Sequence, residues 1–192
     1  VAKGLPTAIT LASTHNEKSV QDWAKILHTK TFRPYLSKDP VGAEIAGAVK
    51  NVIAIACGIV EGRALGQNAK AAILTRGLAE ISRLGLAKGA KMETFMGLSG
   101  LGDLTLTCHS MTSRNFSLGH ALGLDEKLAD ILAKRKSVTE GVTTAKAVVK
   151  MAERLSIDMP ICKAIHAILQ EKISIGDVID GLLSRDLKSE HD

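Results

Sequence analysis

Residues Val41–Val60 read VGAEIAGAVKNVIAIACGIV, and the class of the protein turns on how this run is read. It is long enough to cross a membrane, but it carries Glu44, Lys50 and Asn51, which a lipid-facing span would not tolerate cheaply. The spacing predicts instead a helix buried in protein on nearly all sides. Within it, Ala46, Gly47, Ile53, Ala54 and Cys57 stand three, four or seven positions from Lys50 and so share its helical face. No carboxylate of the same helix lies within a turn of that amine. A lysine in such surroundings must find a distant partner, reach water through a cavity, or lose its proton.

Outward from this run, the pattern is helical downstream and mixed upstream. Before Asp39-Pro40, TAITLAS and TFRPYL read as short β-branched strands, the second with an edge-type proline. EKSVQDWAKILHT between them has helical spacing through Val20, Trp23, Ala24 and Leu27. After it, helices are expected over roughly 41–62, from Asn68 to Leu84 with a stop at Gly85, and over the short KMETFMGL. Further helices are expected from Phe116 to Leu122, through the charged DEKLADILAKRK, from near Gly141, from Pro160, and from Ser174 to about Lys188. Ser174 and Asp177 there form a capping-box pattern. The class is mostly α, with a strand–helix–strand unit in front.

The chain has 192 residues, 45% of them hydrophobic, enough for one or two cored domains. Cys57, Cys108 and Cys162 are odd in number and far apart, and neither CxxC nor HExxH spacing occurs, so neither a disulfide framework nor a metal site is expected. A reduced, cytoplasmic setting is the corresponding expectation. Net charge is +5, but the basic residues are dispersed and only 3% of residues are aromatic, which argues against a nucleic-acid partner. The N-terminal VAKGLPTAITLAS lacks the charged leader of a signal peptide, and with no initiator methionine the chain reads as a fragment.

Three places carry chemistry. GLSGLG at 97–102 is GxxGxG rather than GxGxxG and is preceded by no convincing strand, so it fails as a dinucleotide fingerprint. Leu101 also excludes a nucleophile elbow. It is either a packing turn or a ligand loop, and Asp103 comes directly after it. DLTLT alternates like a strand, but if it is helical, Asp103 and Thr107 face the same way. Ser113-Arg114-Asn115 precedes a helix: either an ordinary N-cap with a surface arginine, or an oxyanion site built from free N–H groups and a guanidinium. Lys50 is either a general acid/base or a lysine that snorkels or sits in a structural salt bridge.

In combination these stretches resemble the bacterial-type NAD(P)-dependent glycerol-3-phosphate dehydrogenases. VGAEIAGAVKNVIAIACGI is similar to that family's helix with the catalytic Lys-Asn, and GLSGLGDLTLTC with SRN to its substrate segment. VTEGVTTAKAV is similar to a cofactor-contacting stretch, and MPICKAIHAIL with LLSRDLKSE to the family's last helices. The resemblance departs at GRALGQNAKAA, where Arg63, Ala64 and Gln67 stand in a segment expected to be richer in glycine. It implies a helical dehydrogenase substrate domain of the 6-phosphogluconate dehydrogenase C-terminal kind over 39–192, preceded over 1–38 by the remnant of a Rossmann domain whose glycine-rich loop is absent.

The resemblance also implies roles. Lys50 would exchange the C2 hydroxyl proton as hydride moves between sn-glycerol 3-phosphate and NAD or NADP, giving dihydroxyacetone phosphate; in reverse it would supply glycerol 3-phosphate for phospholipid synthesis. Asn51, Asp103 and Thr107 would join Lys50 at the substrate. Ser113, Arg114 and Asn115 would bind the glycerol phosphate, with Arg114 also near the cofactor, which Val138 and Glu140 would touch. Dimers are common in the resembled family. Two alternatives are kept: the substrate domain of a related dehydrogenase acting on another small hydroxy compound, and a helical interaction module that exposes the apolar Val41–Val60 surface to a partner chain.

Overall fold

The computed structural model describes residues 1–14, 17–135 and 139–184. Strands β1 (Thr7–Ala12) and β2 (Phe32–Ser37) pair in parallel, with Thr7 opposite Phe32 and Ala12 opposite Ser37. Helix α1 (Glu17–Leu27) is the crossover that a parallel pair requires. Pro34 lies opposite Ile9 in a strand whose only described partner is β1, as its missing N–H dictates. No residue of α1 is buried, and Trp23 and Ile26 are exposed.

Helix α2 (Pro40–Gly62) is the axis of the remainder. It packs against α3 (Gly66–Ala87), α5 (Asp103–Cys108), α6 (Arg114–Gly123), α8 (Glu140–Arg154) and α9 (Pro160–Leu169). Its length and hydropathy would suit a membrane span, but every residue from Val52 to Val60 is buried, so it is a core helix rather than a span. The same burial removes the exposed apolar face that an interaction module would need.

Short helices α4 (Met92–Met96) and α7 (Leu128–Ala133) and the last helix, α10 (Ile175–Leu183), complete the array. Ser174 caps α10 by accepting from the Asp177 N–H at 3.1 Å. The expected continuation to Lys188, like the LLSRDLKSE match beyond Ser184, lies outside the described residues. Helix α3 runs two residues past the expected stop at Gly85: that glycine lets the Phe95 ring lie on the helix, where a Cβ would overlap it, and it ends nothing.

Two buried carboxylates fix helix starts. Asp39 accepts from Gly42 N at 2.9 Å, Lys91 N at 2.8 Å and Thr94 Oγ1 at 2.6 Å, tying the head of α2 to α4. Desolvation pushes its pKa up, but these hydrogen bonds outweigh it and hold the carboxyl below its usual range. Glu80 accepts from Ile161 N at 2.6 Å and Cys162 N at 3.1 Å, capping α9 from α3, while burial pushes its pKa up.

The tightest crossing is α2 on α6. Gly58 and Gly62 of α2 face Gly119 and Gly123 of α6, and backbone meets backbone. A Cβ on Gly119 would overlap the Ile55 carbonyl oxygen, and one on Gly123 would lie 2.7 Å from Ile59 O. This small-xxx-small pairing brings the helix carrying Lys50 and Asn51 against the one carrying Arg114 and Asn115.

At the departure in the α2–α3 connection, Ala64 has φ 51°. The left-handed region costs an L-residue roughly 1–2 kcal/mol, of which a glycine returns about 0.4–1 kcal/mol through its freer unfolded state. Ala64→Gly is therefore expected to stabilise by about 0.5–1 kcal/mol and to raise Tm by roughly 1–4 °C in thermal unfolding. A fall in Tm would refute the strain. Arg63 beside it donates to Asp125 Oδ2 at 2.7 Å, closing the loop onto the end of α6.

Candidate active site

The cleft begins with the segment 97–102. Leu98–Gly102 forms a single π-helical turn, with the Gly102 N–H donating to Gly97 O at 3.1 Å. Such turns insert a residue into a helical path and re-aim the side chains on their C-terminal side. Gly100 lies so close to Phe95 that a Cβ would overlap its backbone. The glycine pattern therefore serves packing, and its result is the direction of Asp103, the first residue of α5.

DLTLT is helical, so Asp103 and Thr107 do share a face, and Thr107 Oγ1 donates to Asp103 O at 2.7 Å. Asp103 Oδ2 receives Lys50 Nζ in a salt bridge across 53 positions of sequence. Lys50 has therefore found a distant partner. The two side chains are 20% and 34% exposed, so the pair is shielded but reachable from the cleft.

A cavity of about 550 Å³ opens on the amine, lined by Gly47, Lys50, Asn51, Leu106, Thr107, Ser110, Thr112–Asn115 and Glu140. A Cβ on Gly47 would meet nothing within 4 Å, which leaves the wall beside Lys50 open. Ser113 is the N-cap of α6, accepting from the Phe116 N–H at 3.3 Å. The capping reading of SRN is thus realised, and the same residues also edge the cavity. Arg114 Nη2 donates to Glu140 Oε1 at 2.7 Å, both side chains about half exposed.

Asn115, 4% exposed, is committed at both ends of its amide. The Gly141 N–H donates to Asn115 Oδ1 at 2.9 Å, Asn115 Nδ2 donates to Asn51 Oδ1 at 2.9 Å, and Asn51 Nδ2 donates to Gly47 O at 3.3 Å. The first donor is a backbone N–H and cannot accept, so it orients the whole relay. Three helices that carry cleft residues are locked by it. Gly141 is required for the approach, since a Cβ there would lie 2.6 Å from Asn115 Oδ1. Neither this relay nor the role of Gly141 is visible in local spacing, although a glycine in the first turn of a helix is the signal that could have marked it.

The expected site residues Lys50, Asn51, Asp103, Thr107, Ser113, Arg114, Asn115 and Glu140 are therefore in one place. Val138 lies outside the described residues. Cys57, Cys108 and Cys162 are free and buried. The Cys57 side chain and burial push the Cys108 thiol up, so it is no thiolate nucleophile. Lys70, a second lysine with apolar neighbours, is paired with Glu61 at 2.9 Å and stands 5.5 Å from the Phe116 ring centre, without lining the cleft.

The cleft thus joins an amine held by a carboxylate to a guanidinium at its rim, equipment for a small hydroxylated anion. The profile of the family described as NAD-dependent glycerol-3-phosphate dehydrogenase C-terminus matches residues 39–180, and the chain belongs to that family. A glycerol-3-phosphate dehydrogenase (NAD(P)+) of Rhodospirillum rubrum is 59% identical over 99% of this chain and 54% of its own length. One of Hyphomonas neptunium is 54% identical over 99% and 56% respectively. The crystal structure of glycerol-3-phosphate dehydrogenase from Coxiella burnetii superposes with a TM-score of 0.91 at 41% identity, covering 96% of this chain and 56% of that one. The chain spans about half the length of the curated relatives it matches.

Proposed function

We propose that this chain is the substrate-binding part of an NAD(P)-dependent glycerol-3-phosphate dehydrogenase that interconverts sn-glycerol 3-phosphate and dihydroxyacetone phosphate. The observation that carries the reading is the Lys50–Asp103 pair on one side of the cleft with Arg114 at its rim. In the oxidation direction Lys50 acts in its neutral form, takes the C2 hydroxyl proton and becomes an ammonium that Asp103 holds; in reduction it returns that proton. NAD or NADP, when bound, would supply the acceptor for the C2 hydride. Thr107 and Asn51 orient the triose, and Ser113 and Arg114 face its phosphate. Asn115 acts mainly by fixing the Asn51 amide.

Arg114 and Glu140 also suit the near edge of a dinucleotide, because both are half exposed at the cleft mouth. Their mutual ion pair is worth at most about 1 kcal/mol, so a phosphate can displace the carboxylate at little cost.

Residues 1–38 are proposed as the end of the cofactor domain and 39–192 as the helical domain. A two-stranded parallel sheet with an uncovered amphipathic α1 is not a self-sufficient unit. Three free, buried cysteines fit a reducing, cytoplasmic setting.

The full-length protein is expected to reduce NAD⁺ or NADP⁺ with glycerol 3-phosphate, at a rate at least about 10²-fold above that with glycerol, which offers Arg114 no anion. The isolated 192-residue chain is expected to give no rate. Equal rates with the two alcohols would overturn the phosphate assignment and favour another small hydroxy compound.

A further inference from the structure

Arg135 lies just after α7 and belongs to none of the motifs that point to the cleft, nor does it line the cavity. Its guanidinium nevertheless ends on the backbone of a residue that does. Nη1 donates to the Arg114 carbonyl oxygen at 2.6 Å, and Nη2 donates to Ser117 Oγ at 3.0 Å. The Ser117 hydroxyl in turn donates to the same Arg114 carbonyl at 3.2 Å. Nη1 also lies 3.5 Å from Oγ1 of Thr139, which is 3% exposed and is the N-cap of α8. The fork thus joins the first residue of α6 to the residue before Glu140. Arg114 and Glu140 are the pair that closes across the cleft mouth at 2.7 Å.

We propose that Arg135 is a positioning residue: it clamps the backbone of Arg114 and the cap of α8, and so holds the Arg114 guanidinium where a substrate phosphate binds. The proposal rests on the reading of the cleft as a glycerol phosphate site. The physical argument is one of restraint. Arg114 is half exposed, and its long side chain has many rotamers. Its reach into the cleft is defined only if its backbone is fixed. A planar fork with parallel donors can hold two acceptors in a set geometry, which a single ammonium cannot. The Ser113 cap and the Asn115 relay anchor the first turn of α6 through the neighbours of Arg114, whereas the Arg135 fork holds the Arg114 carbonyl itself.

The test uses the full-length enzyme with steady-state kinetics, inhibition by inorganic phosphate, and thermal unfolding. Arg135→Met keeps the apolar stem and removes the fork. It is expected to raise KM for glycerol 3-phosphate and Ki for phosphate together by roughly 10-fold, the scale of one lost charge-assisted hydrogen bond, with kcat within about twofold. Arg135→Lys is expected to fall between Arg135→Met and wild type. Ser117→Ala, on a partly buried helix position, is expected to shift KM and Ki in the same direction by about 2–3-fold, and less than additively in the Arg135→Met background, because both act through one carbonyl.

A purely structural role would lower Tm and kcat and leave KM and Ki unmoved, and that result would overturn the proposal. Should Arg135→Met fail to fold, unchanged KM and Ki in both Arg135→Lys and Ser117→Ala would overturn it equally. A wild-type enzyme that does not oxidise glycerol 3-phosphate would defeat the reading of the cleft itself. A wild type that does, with these variants kinetically unchanged, would defeat the positioning role alone.

Discussion

Replacing Lys50 with alanine in the full-length protein is expected to lower kcat for glycerol 3-phosphate oxidation by roughly 10²–10⁴-fold, the range set by general acid–base catalysis. KM should change less, because the proposed reading has the phosphate held from the other side of the cleft by Arg114 and Ser113. The fold should survive. Asp103 is 34% exposed, so the carboxylate left without its amine can take up water rather than stand uncompensated in the core. Steady-state kinetics together with circular dichroism separates the two effects. An undiminished kcat would remove Lys50 from the proton transfer, and a lost fold would mean that the pair with Asp103 is structural.

The second large effect lies away from the chemistry. Gly119→Ala adds one methyl group where the α6 backbone touches the Ile55 carbonyl, an atom that cannot rotate aside. The helices must separate, and α2 is buried continuously from Val52 to Val60 around this contact, so the strain spreads into the core. A cost of about 3 kcal/mol is expected, at the upper end for overpacking, which lowers Tm by roughly 6–12 °C in a chain of this size. Because α2 carries Lys50 and α6 carries Arg114, activity should fall as well, even in the fraction that stays folded. Gly181→Ala is the matched control: nothing lies within 4 Å of its added Cβ, and it sits inside α10. There the substitution should be neutral or stabilising by up to about 1 kcal/mol through helix propensity. Equal Tm values for the two variants would refute the tight crossing.

Much of the fold was legible because its signals are local. The apolar run in Val41–Val60 predicts a helix buried on nearly all sides, and α2 is so from Val52 to Val60, while Val41, Glu44 and Ala48 of its first half are exposed. Pro160 and Ser174 mark the starts of α9 and α10, since a missing N–H and a side-chain acceptor both act within one turn. The expectations that miss do so where a distant contact overrides a local rule. Gly85 looks like a stop but exists for the Phe95 ring, and the choice that five residues left open for DLTLT is decided for the helix by its continuation out of the π turn. DEKLADILAKRK contributes only the short Leu128–Ala133, whose Ile131 is buried.

By itself, then, the sequence determined that the chain is a helical array behind a strand–helix–strand unit, and that one lysine on its central helix has no carboxylate within a turn. It could not say which carboxylate answers that charge, and Lys70 sits in comparable surroundings with only a structural ion pair. Helical period and capping act over a few residues, whereas the distance from Lys50 to Asp103 depends on how α2 and the π turn pack 53 positions apart. The same holds for the Asn115 relay and the Arg135 clamp, each closed by contacts between helices remote in sequence. Only the tertiary structure decided these, because a long-range contact is fixed by the packing of whole elements and leaves no periodic mark on either partner.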